Sequence, residues 1–521
     1  MTMTEAWCLA VALSPACLMA AMAGLTRLRW SAMPGLWRVF HGVSCAALAA
    51  AGLSLALGAV GMPVVGPLVQ ATPLALVLAV LVQLLGLVIA AFSTRYLEGE
   101  ENQPRYLRAL ATVLASVHLL LLADHWLVLI AAWAAVGMAL ERLLCFYPDR
   151  PFALLAAHKK RIADRLADLL LLGAAALAWW TVGSGSLSAL WAHLAQHGPS
   201  LPLQASALLL VVAVTLRTAL LPVHGWLIQV MEAPTPVSAL LHAGVVNLGG
   251  FVLIRFAPLL EQAGAARLLL MALGLGTAVL AGMVMLTRIS IKVRLAWSTV
   301  AQMGFMLLEC ALGLYSLAAL HLIGHSLYKA HAFLSASSVV RQTRLHALHP
   351  AAVPGTASVV LAPVLTTSVV CFLVALAGGA AWPWWWSALL GLAWAPLLWL
   401  PAAHAGGPAH GWQWLFGLLA AAGLTLAAMA AHLLPLGLRD APDHHLGVLA
   451  LAGMACLYLC QVLLQKRPQW LARWRRWSYA GFYLDEAYTR LALRLWPAHW
   501  VLARSPAIGL PWPRGGRRAP R

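Results

Sequence analysis

The chain has 521 residues, 62% of them hydrophobic and 10% charged, with a mean hydropathy of +0.83. A soluble protein of this length carries roughly 25% charged residues, so the composition excludes a soluble globular enzyme and points to a polytopic membrane protein. The net charge of +18 is spread through loops and not gathered on one polar face, so it sets topology and argues against nucleic acid as a partner.

Apolar runs of helical length follow one another and strand-like alternation is absent, so the fold class is all-α, with about fifteen transmembrane helices. The first predicted spans are 5–25, 38–60, 73–93, 106–123, 125–146, 164–183 and 202–221, the last continuing brokenly to 231. They go on through 235–257, 265–286, 290–312, 315–340, 358–378, 383–401, 413–434 and 446–465. No basic stretch precedes the first run, which therefore reads as a retained span and not a cleaved signal.

Lys and Arg collect in alternate loops. One set holds Arg27, Arg29 and Arg38, then Arg95, Arg105 and Arg108, then Arg150, Lys159, Lys160, Arg161 and Arg165. Arg288, Lys292 and Arg294 follow, then Arg341 and Arg344, then Lys466, Arg467, Arg473, Arg475 and Arg476. Loops 60–72 and 184–200 are nearly free of both. The positive-inside rule predicts an N-terminus outside and a C-terminus in the cytoplasm.

The predicted organisation is N-terminal helices over 1–105, inverted five-helix repeats over 106–257 and 258–401, and C-terminal helices over 402–465. Inverted repeats tend to place broken helices at corresponding positions. Pro222 breaks span seven, and Gly378, Gly379 and Pro383 supply a comparable break at span twelve. Residues 466–521 form a Trp-rich amphipathic segment suited to the cytoplasmic interface, ending in a basic tail attracted to anionic lipid.

Residues 216–250 carry the strongest functional signal. Arg217, His224, Glu232 and His242 stand there at apparent membrane depth, and Pro222, Pro234 and Pro236 interrupt the helix. Ionisable groups at that depth mark ion pathways, and irregular backbone persists only where protein or water satisfies it. In span eleven, His321, His325 and Lys329 recur every four residues and share a helix face, about 6 Å apart. Such a stripe is either a proton relay or polar cement between helices. His331 lies off that face.

Glu141 in span five is expected to be buried and to pair with Arg217; the alternative is a helix end with Arg142 snorkelling to the surface. Arg217 stays protonated and so acts as a field, not a carrier. His242 is either a bridge to span eleven or a satisfied core residue, and Lys292 either a pathway group or, like Arg294, a positive-inside residue. Glu309 is either an intramembrane acid or a group at the outer mouth. The expected proton pathway is Glu141, Arg217, His242, Lys292, Glu309, His321, His325 and Lys329.

Eight cysteines, Cys8, Cys17, Cys45, Cys145, Cys310, Cys371, Cys456 and Cys460, fall mostly in apolar spans without a CxxC pair, so they read as apolar residues and not as ligands. No GxGxxG fingerprint or P-loop is present. No cofactor is expected in this chain.

The runs LPVHGWLIQVMEAPTPVSALLHAG, IKVRLAWSTVAQMGFM and HLIGHSLYKAHAFL, and the later GFYLDEAY, resemble the proton-translocating membrane subunits of respiratory complex I (its L or subunit-5 type), cation/proton antiporters and membrane-bound hydrogenases. The resemblance spans roughly 85–345 and implies buried acidic and basic groups passing protons between two half-channels. Where the family has Trp-Glu-Gly-Val-Gly, this chain has Trp133-Ala134-Ala135-Val136-Gly137, and Glu141 is the expected substitute for the missing acid. The family's Gly-Lys-Ser-Ala is Leu216-Arg217-Thr218-Ala219 here, and span twelve lacks the usual lysine. The sequence after span fifteen is too short for the lateral helix and anchoring span of the complex I type.

The wording HGWL…MEAPTPVSALLHAGVVN is most similar to the membrane subunit of two-component DAB-type inorganic carbon transporters. That resemblance implies proton or other monovalent cation flow driving CO2 hydration or bicarbonate accumulation. The implied partner is a large peripheral zinc-binding, DabA-like subunit on the cytoplasmic side, similar to a carbonic anhydrase. Zinc is expected in that partner. The alternatives are a proton-pumping subunit of complex I or a hydrogenase, and an antiporter subunit.

Overall fold

The computed structural model describes residues 3–28, 33–62, 64–336, 354–378, 382–400 and 408–497. The expectations for Arg29, Arg341, Arg344, Gly379 and the basic tail fall outside these residues. The first half runs α1 (Met3–Leu25), α2 (Met33–Ala59), α3 (Pro73–Tyr96), α4 (Gln103–Leu122), α5 (Trp126–Leu144), α6 (Pro151–Val182), α7 (Leu187–His197) and α8 (Leu201–Arg217). A broken middle follows: α9 (Gly225–Gln229), a 3-10 turn (Val230–Glu232), α10 (Thr235–Ala243), a second turn (Val245–Asn247), α11 (Leu248–Arg255) and α12 (Ala257–Gln262). The remainder is α13 (Gly264–Leu286), α14 (Ile291–Ala311), α15 (Tyr315–Leu334), α16 (Thr356–Leu376), α17 (Trp384–Trp394), α18 (Pro408–His432), α19 (His444–Lys466), α20 (Ala472–Tyr479) and α21 (Leu484–Leu495).

Among the described residues, ten helices are long and apolar enough to cross a membrane, counting Thr235–Arg255 as one. Two shorter apolar helices, Leu201–Arg217 and Trp384–Leu398, join them. The charged helices α6, α14 and α15 pack against members of this set. The protein is therefore all-helical and multi-pass. Local chemistry places the helix starts: Thr72 accepts from Ala75 N before Pro73 opens α3, and Asp443 accepts from Leu446 N at the start of α19.

Small residues bring α13 and α14 together. A Cβ on Gly274 would lie 2.9 Å from Gly304 O, and one on Gly304 would lie 2.7 Å from Ala278 N. With hydrocarbon outside, such close backbone approach supplies much of the packing energy between helices.

The break between α8 and α11 follows from missing donors and strained positions. Pro222, Pro234 and Pro236 carry no N–H, and Ala219 sits at φ +55°, a region that disfavours a side chain. Freed polar groups find partners inside the protein: Asn247 Nδ2 donates to Ala243 O at 2.8 Å and to Ser326 Oγ of α15 at 2.7 Å. Nearly all of Thr235–Arg255 is buried. The expected counterpart at span twelve differs. Gly378, with φ +92°, is exposed, and both it and Pro383 lie in the connection between two continuous helices, α16 and α17. Among the described residues, the break between α8 and α11 places irregular backbone in the core.

Candidate functional site

Arg217 ends α8 with 5% exposure, so its charge needs partners. Its Nη1 donates to Trp133 O at 2.8 Å, its Nη2 donates to Asp168 of α6, and the guanidinium lies 4.7 Å from the centre of the Trp133 ring. Lys160 and Asp164 form a second ion pair on α6, four residues before Asp168. Gly137 makes room for it, since a Cβ there would lie 2.6 Å from Asp164 Oδ2. The acids that face α5 and α8 thus come from α6.

The expected pairing of Glu141 with Arg217 is corrected by this arrangement. Glu141 is half-buried at the end of α5 and accepts from Arg161, itself half-exposed, while Arg217 has Asp168. Glu141 sits in the last turn, where Arg142 and Arg161 reach solvent, and Asp168 is closer to the α8 end. Glu141 is therefore not brought to the Arg217 site.

A second cluster joins the broken segment to the far end of the chain. Lys159, with a fully buried side chain, donates to Asp485 Oδ1 at 2.6 Å and Thr489 Oγ1 at 2.9 Å. Gln229 Nε2 donates to Asp485 Oδ2 at 2.9 Å. Gly225 opens α9 against this carboxylate: any Cβ there would fall on the Asp485 oxygen. Beside it, buried His224 leaves Nε2 without a protein partner and packs against Trp297, ring centres 4.8 Å apart.

The third cluster is the span-eleven stripe, and here the expected residues do meet. Glu309 of α14 is 3% exposed and accepts from, or pairs with, His321 Nδ1 at 2.8 Å. The His321 and His325 rings are 6.0 Å apart. His325 and His242 are buried, and all four of their ring nitrogens lack a protein partner. Lys329, 1% exposed, donates to Ser298 Oγ and, at 3.4 Å, to Leu295 O. His242 stacks on Phe333 at 4.5 Å, one turn along α15 from Lys329. At the Glu309 end the stripe meets a cavity of about 660 Å³ walled by Phe305, Trp382, Trp386 and Met454.

Lys292 is half-buried and donates to Thr235 Oγ1 at 3.1 Å, at the start of α10. Arg294 and His331 are exposed and join no cluster. Glu232 lends its backbone carbonyl to Arg150 at 2.7 Å. Sequence reasoning missed Asp164, Asp168 and Asp485, as well as Asp124, whose buried carboxylate pairs with Arg255 at 2.9 Å and accepts from Ser188 at 2.7 Å. A signal for two of them was present: Lys160, Asp164 and Asp168 recur every four residues, the spacing that revealed the α15 stripe. Among the described residues, no group of three or more His, Cys, Asp or Glu is placed to hold a metal ion.

The family model described as NADH:quinone oxidoreductase/Mrp antiporter, TM, matches residues 123–394, a stretch holding most of these clusters. The "Probable inorganic carbon transporter subunit DabB" of Hydrogenovibrio crunogenus is 39% identical over 450 residues, covering 84% of this chain and 85% of that one. The "Probable inorganic carbon transporter subunit DabB2" of Halothiobacillus neapolitanus is 49% identical over 277 residues, 53% of this chain and 50% of that one. A chain of the Mrp complex from a Dietzia species superposes with a TM-score of 0.56 at 23% identity, over 97% of this chain and 57% of the other. This chain thus spans about half the length of the last two, and the Mrp likeness speaks to the fold alone. The chain belongs to the NADH:quinone oxidoreductase/Mrp antiporter transmembrane family, in the company of the DabB subunits.

Proposed function

We propose that this chain is the proton-conducting subunit of an inorganic carbon transporter in a bacterial inner membrane. Its working partner is a large peripheral zinc-binding subunit on the cytoplasmic side, where CO2 or bicarbonate chemistry takes place. Support for the carbon assignment is the extended similarity to a DabB subunit over most of both chains. The observation that carries conduction is the buried series Glu309, His321, His325 and Lys329, joined by His242 from the broken segment.

Each member has a distinct part. Glu309 and His321 exchange a proton across their 2.8 Å contact beside the cavity. His325 and His242, with free ring nitrogens, accept and donate in turn through water. Lys329 ends the series, its ammonium held by Ser298. Arg217, locked to Asp168, supplies a fixed field and carries no proton. Lys292 links the start of α10 to α14 and completes the pathway at that end.

Co-purification from the native membrane tests the partner: a large zinc protein is expected. A set of iron–sulfur and quinone-reactive subunits instead would support the second reading, a redox-driven pump, which the family match also accommodates. Proton uptake by proteoliposomes holding the complex tests conduction, and uptake that persists in Lys329→Ala removes the α15 series from the path.

A further inference from the structure

Where α13 turns into α14, a cavity of about 520 Å³ lies between Arg288, the end of α19 and α20. Its wall carries Arg288, Arg475, Gln461, Gln465 and Tyr479, and no carboxylate lines it. Arg288 is half-buried, its Nε has no hydrogen-bond partner, and neither arginine forms an ion pair among the described residues. The Arg288 guanidinium is held between two aromatic faces, 5.3 Å from the Trp297 ring centre and 5.7 Å from that of Tyr479. Stacking fixes the plane of the fork while leaving its edge free to donate.

Two arginines lining one cavity that no carboxylate lines call for a counterion. Arginine's planar donors match the oxygens of phosphate or carboxylate, and a pair of them neutralises one such group well. Beside the polar wall stand Leu286, Leu464 and Ile289, the last 90% exposed, so the cavity opens along an apolar surface. We propose that this cavity binds an oxyanion, with Arg288 and Arg475 as its ligands. The source is either the phosphodiester of an anionic phospholipid, its chains along Leu286 and Ile289, or a free oxyanion such as phosphate or bicarbonate. Trp297 connects the site to the broken segment, because it also packs against the His224 ring. Oxyanion binding at this cavity does not depend on proton conduction through α15.

The test uses the full chain in detergent, followed by native mass spectrometry after adding phosphatidylglycerol, phosphatidylcholine, inorganic phosphate or bicarbonate. The wild type is expected to retain phosphatidylglycerol over phosphatidylcholine by about tenfold, since each basic side chain near a headgroup contributes appreciably to anionic lipid binding. Arg288→Gln and Arg475→Gln are each expected to remove most of that preference, while Arg473→Gln, outside the cavity, keeps it. Arg475 is exposed, so its variant carries the test without disturbing the fold. Phosphate or bicarbonate that displaces bound phosphatidylglycerol, or binds without lipid, identifies a free oxyanion as the occupant. Equal retention of both lipids with no effect of either salt, or a preference unchanged in both cavity variants, overturns the proposal.

Discussion

Asp168 of α6 accepts a hydrogen bond from Arg217 at the end of the adjacent α8, next to Trp133. Trp133-Ala134-Ala135 of α5 brings no acid to Arg217, and the carboxylate comes instead from α6. Removing Asp168 leaves the buried Arg217 charge uncompensated, at about 3–5 kcal/mol, whereas Asp168 keeps Arg165 at 3.2 Å when Arg217 is removed, so that loss should be smaller. Asp168→Asn and Arg217→Gln should each lower the unfolding temperature of the purified protein. The double variant should be more stable than the sum of the two single losses implies. Additive losses would mean that the two side chains do not depend on each other.

Glu141 should matter little. Its partner Arg161 is half-exposed, and such pairs contribute about 0–1 kcal/mol. Glu141→Ala is expected to keep transport and membrane abundance near wild type, measured by uptake and immunoblot. A complete loss of transport would return Glu141 to the pathway.

The α15 series should behave in the opposite way. Lys329→Ala and His325→Ala are expected to abolish proton-coupled transport while the protein still reaches the membrane in normal amounts. Glu309→Gln should do the same, with Glu309→Asp keeping part of the rate because the carboxylate still faces His321. Full transport in the Lys329 and His325 variants would reduce the stripe to polar cement between helices.

Gly225 is the sharpest steric test. Gly225→Ala puts a methyl group on the Asp485 carboxylate and 2.7 Å from Lys159 Nζ, so α21 should come away from α9. Limited proteolysis of the segment after Lys466 should be faster in Gly225→Ala than in wild type. Asp485→Ala should make that segment labile as well, and adding Gly225→Ala to it should bring little further change. A proteolysis rate equal to wild type in Gly225→Ala would mean that the contact yields without displacing α21.

The stripe at His321, His325 and Lys329 was legible because four-residue spacing fixes a face, and the break at 216–250 because proline removes donors wherever it stands. What periodicity leaves open is which neighbour a face meets. Asp168 and Arg217 are 49 residues apart and Asp485 and Lys159 are 326 apart, distances over which spacing says nothing about contact. Asp164 and Asp168 lie at the start of the predicted span 164–183 beside Arg161 and Arg165, where a helix-end charge and an interior one look alike in sequence. Only Gly137 on the adjacent helix gives Asp164 its place in the interior. Glu141 misled for the converse reason: the apolar run after it suggested depth, whereas the helix ends within one turn.

The Lys159–Asp485 contact has a consequence for how the protein is made. A ribosome releases Lys159 and Gly225 long before it reaches Asp485, and over that interval the lysine has no carboxylate beside it. α21 therefore acts as a closing clasp on a middle already threaded into the membrane. Quality control that senses an unpaired buried charge would find one in every chain still being synthesised, and none in a finished molecule at this position.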